Sequence, residues 1–225
     1  EGYSWWIDRL KKNMELFDWV RLDHFRAFAD YWEVPAGEPT ARNGEWKPGP
    51  GADFFKAIET ALGSLPFVAE DLGEINEPVL KLRDQFHLPG MKVLQFAFGG
   101  DMPRSDYIPH NYGCNFFVYT GTHDNNTVRG WFNELDDASR HRLERYVGRP
   151  LSAAEIHLEL GRMAYASVAK TAILPLQDVL ALDAQARMNI PASGENNWAW
   201  RLQPGQLTGA DEDRLRQWTI LYNGE

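Results

Sequence analysis

Three apolar, strand-like segments that each end in acidic residues constrain the fold of this chain more than any other feature. The segments begin at Phe17, Pro66 and Phe116, and the acids that close them are Asp23, Glu70 and Asp124. Side chains just past the carboxyl ends of parallel strands gather on one rim of a sheet or barrel. The sequence therefore predicts three carboxylates that converge on one site.

Strands and helices are expected to alternate along the chain. Strands are predicted at residues 19–23, 66–69, 91–98, 115–120 and 172–178. Apolar residues at helical spacing predict helices between them. Asp53, Asn76 and Ser152 are the expected N-caps. Residues 30–52 contain four prolines and four glycines, which predict one long functional loop.

This alternation predicts an α/β fold with a parallel sheet covered by helices. Acids at several strand ends favour a (β/α)8 TIM-type barrel, and no G-x-G-x-x-G motif follows any strand. A closed barrel needs eight strands and five are visible. Residues 1–225 are thus expected to be the C-terminal part of a (β/α)8 catalytic domain, about strands 4 to 8. The N-terminal strands and inserted subdomains are expected to be absent.

Composition excludes several functional classes. The net charge of −9 and the absence of a long basic run argue against a nucleic-acid partner. The sequence contains no run of 18 or more apolar residues, so no membrane-spanning helix is predicted. The single cysteine, Cys114, excludes an internal disulfide and is compatible with a reducing compartment, so a cytoplasmic location is expected.

The acids suit retaining glycoside chemistry, which needs two carboxyl groups about 5–5.5 Å apart. The shorter Asp23 suits a fixed nucleophile, and the longer Glu70 suits a general acid that reaches the glycosidic oxygen. Arg21 lies on the same strand face as Asp23 and would keep that carboxylate ionised. A like charge on Asp71 would help to keep Glu70 protonated.

Each feature also has a purely structural interpretation. Arg21 and Asp23 alone would more often form a surface ion pair. Taken singly, His24 and His123 would be structural histidines, while for Glu70-Asp71 a solvated strand end and a functional role are equally compatible with the sequence. The coincidence of three acids at three strand ends favours the catalytic interpretation.

Several motifs resemble those of the 4-α-glucanotransferases (amylomaltases) of glycoside hydrolase family 77, in the α-amylase clan. The three principal motifs are Arg21-Leu22-Asp23-His24-Phe25-Arg26, Ala69-Glu70-Asp71-Leu72-Gly73 and Gly121-Thr122-His123-Asp124-Asn125. Further similar segments are Leu88-Pro89-Gly90-Met91-Lys92-Val93-Leu94-Gln95-Phe96, Pro109-His110-Asn111-Tyr112, Leu176-Gln177-Asp178 and Asn197-Trp198-Ala199-Trp200. The resemblance covers nearly the whole chain.

The resemblance implies transfer of α-1,4-glucan segments between maltodextrins through a covalent glucosyl-enzyme. It implies Asp23 as nucleophile, Glu70 as acid/base and Asp124 as transition-state stabiliser. Sugar contacts are implied for Arg21, His123, His24 and Asn189. No metal or organic cofactor is implied, and the expected partners are maltooligosaccharides and the missing part of the barrel.

The chain departs from the family pattern at Ala27 and Ala192, where glycine is expected, and at Asn126, where aspartate is expected. Two alternatives remain open: an α-glucan hydrolase with the same carboxylates, and an inactive glucan-binding fragment.

Overall fold

A computed structural model describes residues 2–223, excluding the side chain of Asn223. The chain divides into two compact units, residues 1–91 and 92–225, which are treated separately.

The first unit is α/β. Its helices and strands are α1 (Ser4–Met14), β1 (Val20–Leu22), β2 (Asp30–Glu33), β3 (Glu45–Pro48), α2 (Gly51–Leu62), β4 (Phe67–Ala69) and α3 (Glu77–Gln85). Strands β1 and β4 are parallel, with Leu22 opposite Ala69. In this register the carboxyl ends of β1 and β4 lie side by side, so the residues that follow the two strands are neighbours.

One apolar core holds this unit together. Its buried members are Leu10, Leu22, Phe25, Phe54, Phe55, Ile58, Phe67, Ala69, Val79, Leu82 and Leu88. Every residue of β4 is buried. Such an apolar strand is expected where a parallel strand is covered on both faces.

Helix ends follow the sequence signals in part. The Asn76 side chain accepts a hydrogen bond from Val79 N, and Gly63 ends α2 in the left-handed conformation, both as predicted. The prediction for Asp53 is wrong, because α2 begins two residues earlier, at Gly51. Asp53 instead lies in the first turn of α2, where its negative charge interacts favourably with the helix dipole.

Residues 30–52 are not one loop, which corrects the sequence prediction. Strands β2 and β3 form an antiparallel hairpin in which Trp32 lies opposite Trp46. The two indole rings pack at 5.4 Å between centroids, and the Arg26 guanidinium lies 4.0 Å from the Trp46 ring centroid. Cross-strand aromatic packing of this kind stabilises a hairpin despite many turn-forming residues.

The second unit is also α/β. Its strands belong to a three-stranded sheet of order β5 (Gly90–Val93), β6 (Phe116–Tyr119), β7 (Thr171–Ile173), and β5 begins just before the unit boundary. Strands β6 and β7 are parallel, with Phe117 opposite Thr171. The helices are α4 (Val128–Glu134), α5 (Asp137–Val147), α6 (Ile156–Ala166), α7 (Leu176–Val179) and α8 (Gly209–Asn223).

A second apolar core lies within this unit. It contains Leu94, Ala97, Phe98, Ile108, Tyr112, Val118, Val128, Phe132, Leu143, Leu151, Ile156, Leu160 and Ala164. Strand β6 and helices α4, α5 and α6 all contribute to it.

Three predictions in this unit were wrong in detail. Strand β5 ends at Val93 because residues 94–96 turn into a 3-10 helix. Strand β7 ends at Ile173, and Pro175 precedes α7. Ser152 does not cap α6, because its hydroxyl donates to the Glu155 carboxylate.

Each of the five predicted strand segments overlaps an observed strand, and the chain is mixed α/β as expected. Within residues 2–223, no helix combines the length and apolar character needed to cross a membrane.

Candidate active site

Asp23 follows the last residue of β1 and projects from its carboxyl end. Its Oδ1 lies 2.7 Å from Arg21 Nη2, and its side chain is 78% exposed. Arg21 lies in β1 and Asp23 in the turn directly after it, and the contact between them shows that their side chains reach the same side. The ion pair predicted from the sequence is present and leaves most of the carboxylate open to solvent.

Glu70 follows the last residue of β4 and continues the parallel ladder past the ends of both strands. Its N–H donates to Leu22 O at 3.0 Å, and Phe25 N–H donates to Glu70 O at 3.1 Å. Its side chain accepts from His24 N–H at 2.7 Å and from Leu72 N–H at 3.3 Å. The acid is thus fixed by the backbone of the segment that carries Asp23.

Burial raises the pKa of the Glu70 carboxyl above its ordinary value, and the Asp23 carboxylate raises it further. The hydrogen bonds from His24 and Leu72 and the charge of Arg21 act in the opposite direction. The upward direction follows because desolvation of a carboxylate is the largest of these effects. Glu70 therefore holds a proton more readily than a free glutamate.

His24 has a left-handed backbone, with φ of 49°. Left-handed geometry is uncommon for residues other than glycine. Here it coincides with the hydrogen bond from His24 N–H to Glu70 Oε2. The His24 side chain itself is exposed.

Asp71 does not act on Glu70, which corrects the sequence expectation. Its side chain is buried, lies 2.5 Å from Arg83 Nη1 and accepts from Met91 N–H at 2.8 Å. The like charge that raises the Glu70 pKa comes from Asp23. Asp71 therefore anchors α3 and the start of β5.

Asp124 lies in the loop of residues 121–127, which follows β6 in the second unit. Its Oδ1 accepts from Asn189 Nδ2 at 2.6 Å and lies 3.4 Å from His123 Nε2. Arg187 Nη2 donates to the Asp124 carbonyl at 2.7 Å. The structure thus brings together three sequence-predicted residues, His123, Asp124 and Asn189, and adds Arg187.

The loop around Asp124 is internally braced. Asn125 Oδ1 accepts from both the N–H and the hydroxyl of Thr122, at 2.9 and 2.8 Å. A Cβ on Gly121 would lie 2.5 Å from Gln95 Nε2, so a side chain here would displace the Gln95 amide, which donates to Asn126 O.

Trp198 places an aromatic face beside His123. The ring centroids are 5.2 Å apart, and the indole is 51% exposed. A cavity next to this pair is lined by Thr122, His123, Asn125, Asn126, Thr127, Pro175, Gln177, Asp178, Arg187 and Met188. An exposed ring next to a cavity is a suitable surface for the apolar face of a sugar.

The predicted residues therefore form two groups, one in each unit. Arg21, Asp23, His24 and Glu70 lie together in the first unit, and His123, Asp124 and Asn189 lie together in the second. Sequence reasoning missed Arg187, since its partners are a carbonyl group and Asn189 rather than a recognisable motif. Among the described residues, no cluster of three His, Cys, Asp or Glu side chains is arranged to hold a metal ion.

Acidic side chains at the ends of paired parallel strands are typical of α/β enzymes that act on glycosidic bonds. A family model described as 4-alpha-glucanotransferase, glycoside hydrolase family 77, matches residues 1–208. The chain belongs to this family, so the resemblance drawn from the motifs is confirmed.

Individual relatives agree with the family match. The chain is 47% identical over 223 residues to a 4-alpha-glucanotransferase of Streptococcus pneumoniae, covering 99% of the chain and 44% of the relative. It is 49% identical to a Synechocystis 4-alpha-glucanotransferase, covering 98% of the chain and 44% of the relative. The chain therefore spans less than half the length of these relatives.

A solved structure gives the same result. The amylomaltase from Streptococcus agalactiae in complex with acarbose superposes with a TM-score of 0.93 at 39% identity. The match covers 99% of this chain and 45% of the amylomaltase chain.

The structure bears on two of the three positions that depart from the family pattern. Asn126 Nδ2 donates to Glu134 Oε1 at 2.8 Å, which an ionised aspartate could not do. Ala192 has a φ of 61°, in the region that glycine adopts most easily. Nothing in the structure explains Ala27.

Proposed function

We propose that the protein to which this chain belongs is a 4-α-glucanotransferase that moves α-1,4-glucan segments between maltodextrins by a retaining double displacement. The observation that carries the proposal is the pairing of Asp23 and Glu70 at the ends of β1 and β4. The names of the relatives support the same activity.

Asp23 is the proposed nucleophile. Its exposed carboxylate can approach an anomeric carbon, and the ion pair with Arg21 orients it. Attack forms the bond between carboxylate oxygen and anomeric carbon while the bond to the leaving oxygen breaks.

Glu70 is the proposed acid/base. A general acid must be protonated when the leaving oxygen departs, and burial together with Asp23 raises the Glu70 pKa in this direction. Once Asp23 is esterified its negative charge is lost, so the Glu70 pKa falls. Glu70 then accepts the proton of the incoming sugar hydroxyl as a base.

Asp124 is the proposed stabiliser of positive charge on the distorted sugar ring. Asn189, His123 and Arg187 orient it through side-chain and backbone contacts. Arg21, His123, His24 and Asn189 are the proposed sugar contacts. The steps proposed for these residues need no metal or organic cofactor.

We further propose that residues 1–225 are the C-terminal part of a (β/α)8 catalytic domain, corresponding to about strands 4 to 8. This is supported by parallel pairing in both units and by coverage of only 44–45% of the relatives. In the described part of the chain β1 is an edge strand, and Phe17, three residues before it, is 58% exposed. The rest of the barrel is the proposed partner of this surface. The single cysteine supports a cytoplasmic location.

Product analysis with maltotriose tests the function of the longer protein that contains these residues. Transfer produces a ladder of longer maltodextrins together with glucose and maltose. Glucose and maltose alone would refute transfer and favour the hydrolase alternative, because water would then be the acceptor.

A further inference from the structure

Asp178, in α7, is buried in the second unit and contacts both ends of the Asp124 loop. Its Oδ2 accepts from the Thr120 hydroxyl at 2.6 Å, and its Oδ1 accepts from Val128 N–H at 2.7 Å. Thr120 is the residue before the loop of residues 121–127, and Val128 is the residue after it. One carboxylate therefore joins the two points at which this loop leaves and re-enters regular structure.

The buried position of Asp178 is not explained by an ion pair. The residue is 4% exposed, and neither of its hydrogen-bond partners is a cation. Burying a carboxylate without a cationic partner is unfavourable unless its oxygens accept good hydrogen bonds. Both oxygens of Asp178 are used in this way, and both bonds are made to the loop ends.

We propose that Asp178 is a positioning residue for the proposed transfer reaction, acting by fixing the loop that carries His123 and Asp124. This inference rests on the proposed function, since it requires Asp124 to act on the sugar. Asp178 is among the residues that line the cavity beside His123 but is not assigned any contact with substrate.

The proposal predicts a loss of turnover rather than of substrate affinity. A stabiliser of the oxocarbenium-like transition state contributes most when charge develops, so its displacement lowers kcat more than it raises KM. Displacement of a reacting group by about 1 Å can cost up to about 100-fold in rate. Removal of both hydrogen bonds should therefore lower kcat by about 10- to 100-fold, with KM changed less than about 3-fold.

The test compares Asp178→Ala with Asp178→Asn in the full-length protein, assayed with maltotriose. Asparagine has the same shape, and it can accept from Val128 N–H and donate to the Thr120 hydroxyl oxygen. It should therefore restore most of the kcat that the alanine variant loses. A matched control is Asp136→Ala, which removes the aspartate that accepts from Ser139 N–H at the start of α5. This control should leave kcat unchanged.

The outcomes separate the two hypotheses. A wild-type protein that does not transfer glucan refutes the proposed function. If the wild type is active, the positioning role is overturned when Asp178→Ala has the same kcat as wild type. It is also overturned when Asp178→Ala and Asp136→Ala lose the same fraction of kcat. If Asp178→Ala does not fold, Thr120→Val and Thr120→Ser take its place. The valine variant, which lacks the hydroxyl, should lose kcat and the serine variant should not; equal kcat in the two would also overturn the proposal.

Discussion

The burial of Asp178 predicts how protein stability changes with pH. Burial raises the pKa of this carboxyl from its ordinary 3.8 to about 6, against the opposing effect of its hydrogen bonds from Thr120 and Val128. Between these two pH values the folded state retains a proton that the unfolded state has released. Stability attributable to Asp178 is therefore present at low pH and is lost as pH rises through about 4 to 6.

The magnitude follows from the size of the shift. The difference of 2.2 pH units between 6 and 3.8 corresponds to about 3 kcal/mol at pH 8, of which about 2–3 kcal/mol develops between pH 4 and pH 8. Asp178→Asn removes the charge and keeps the shape. The asparagine variant should gain this amount of stability relative to wild type as pH is raised from 4 to 8.

Other charged groups face the same region. Their contributions to the pH dependence of stability must cancel when wild type is compared with Asp178→Asn. His157 on α6 and Arg214 on α8 line a small cavity with Asp178, and His123 and Arg187 line the cavity on the other side. Burial lowers the pKa of His157, an effect that reduces stability at low pH and so opposes that of Asp178. These contributions are common to both proteins, so only the difference between wild type and variant is informative.

The assay is denaturant unfolding of the full-length wild type and the Asp178→Asn variant at several pH values between 4 and 8. A stability difference that does not change with pH would contradict the raised pKa. A variant that loses stability relative to wild type with rising pH would show that the sign is wrong, and that Asp178 is stabilised in its charged form.

Four further predictions concern other parts of the chain. In the full-length protein, Asp23→Asn should lower both transfer and hydrolysis by about 10⁴-fold or more with an unchanged circular dichroism spectrum; near wild-type activity would exclude Asp23 as nucleophile. Glu70→Gln should lower turnover of maltotriose by about 10²- to 10⁴-fold but affect a glucosyl substrate with a good leaving group much less, and equal losses on both would argue against an acid role. Asn126→Asp should lower the unfolding free energy by about 1–3 kcal/mol at pH 8, because it replaces a hydrogen bond to Glu134 with a pair of like charges; unchanged denaturant midpoints would contradict this. The 225-residue chain alone should turn over maltotriose poorly or not at all, and full activity in a purified monomer would refute the partial-barrel proposal.

Local sequence patterns were enough to predict the strand–acid pairs. Asp23 and Glu70 follow short apolar strands. Parallel pairing of β1 with β4 is enough to place the two acids beside each other. Helix ends with a local signal, such as Asn76 and Gly63, were also predictable. The family followed from several motifs read together.

The features that sequence reasoning missed depend on contacts between distant residues. The hairpin of β2 and β3 depends on Trp32 meeting Trp46, which outweighs the local turn signals. Asp71 pairs with Arg83, twelve residues away on a helix, and local sequence does not indicate this partner.

Asp178 illustrates the same limit. The sequence places it at the end of a predicted strand, whereas its proposed role depends on hydrogen bonds to residues 50 and 58 positions earlier.

The continuous ladder through Leu22, Glu70 and Phe25 has a consequence for protein engineering. The backbone bonds on both sides of Glu70 fix its Cα relative to the segment that carries Asp23. Side-chain exchanges at these two positions can shorten or lengthen the reach of each carboxyl group, but they cannot move its attachment point. A variant that widens the gap between the two carboxyl groups, as inverting enzymes require, would therefore have to gain that space from side-chain length or from a changed strand register.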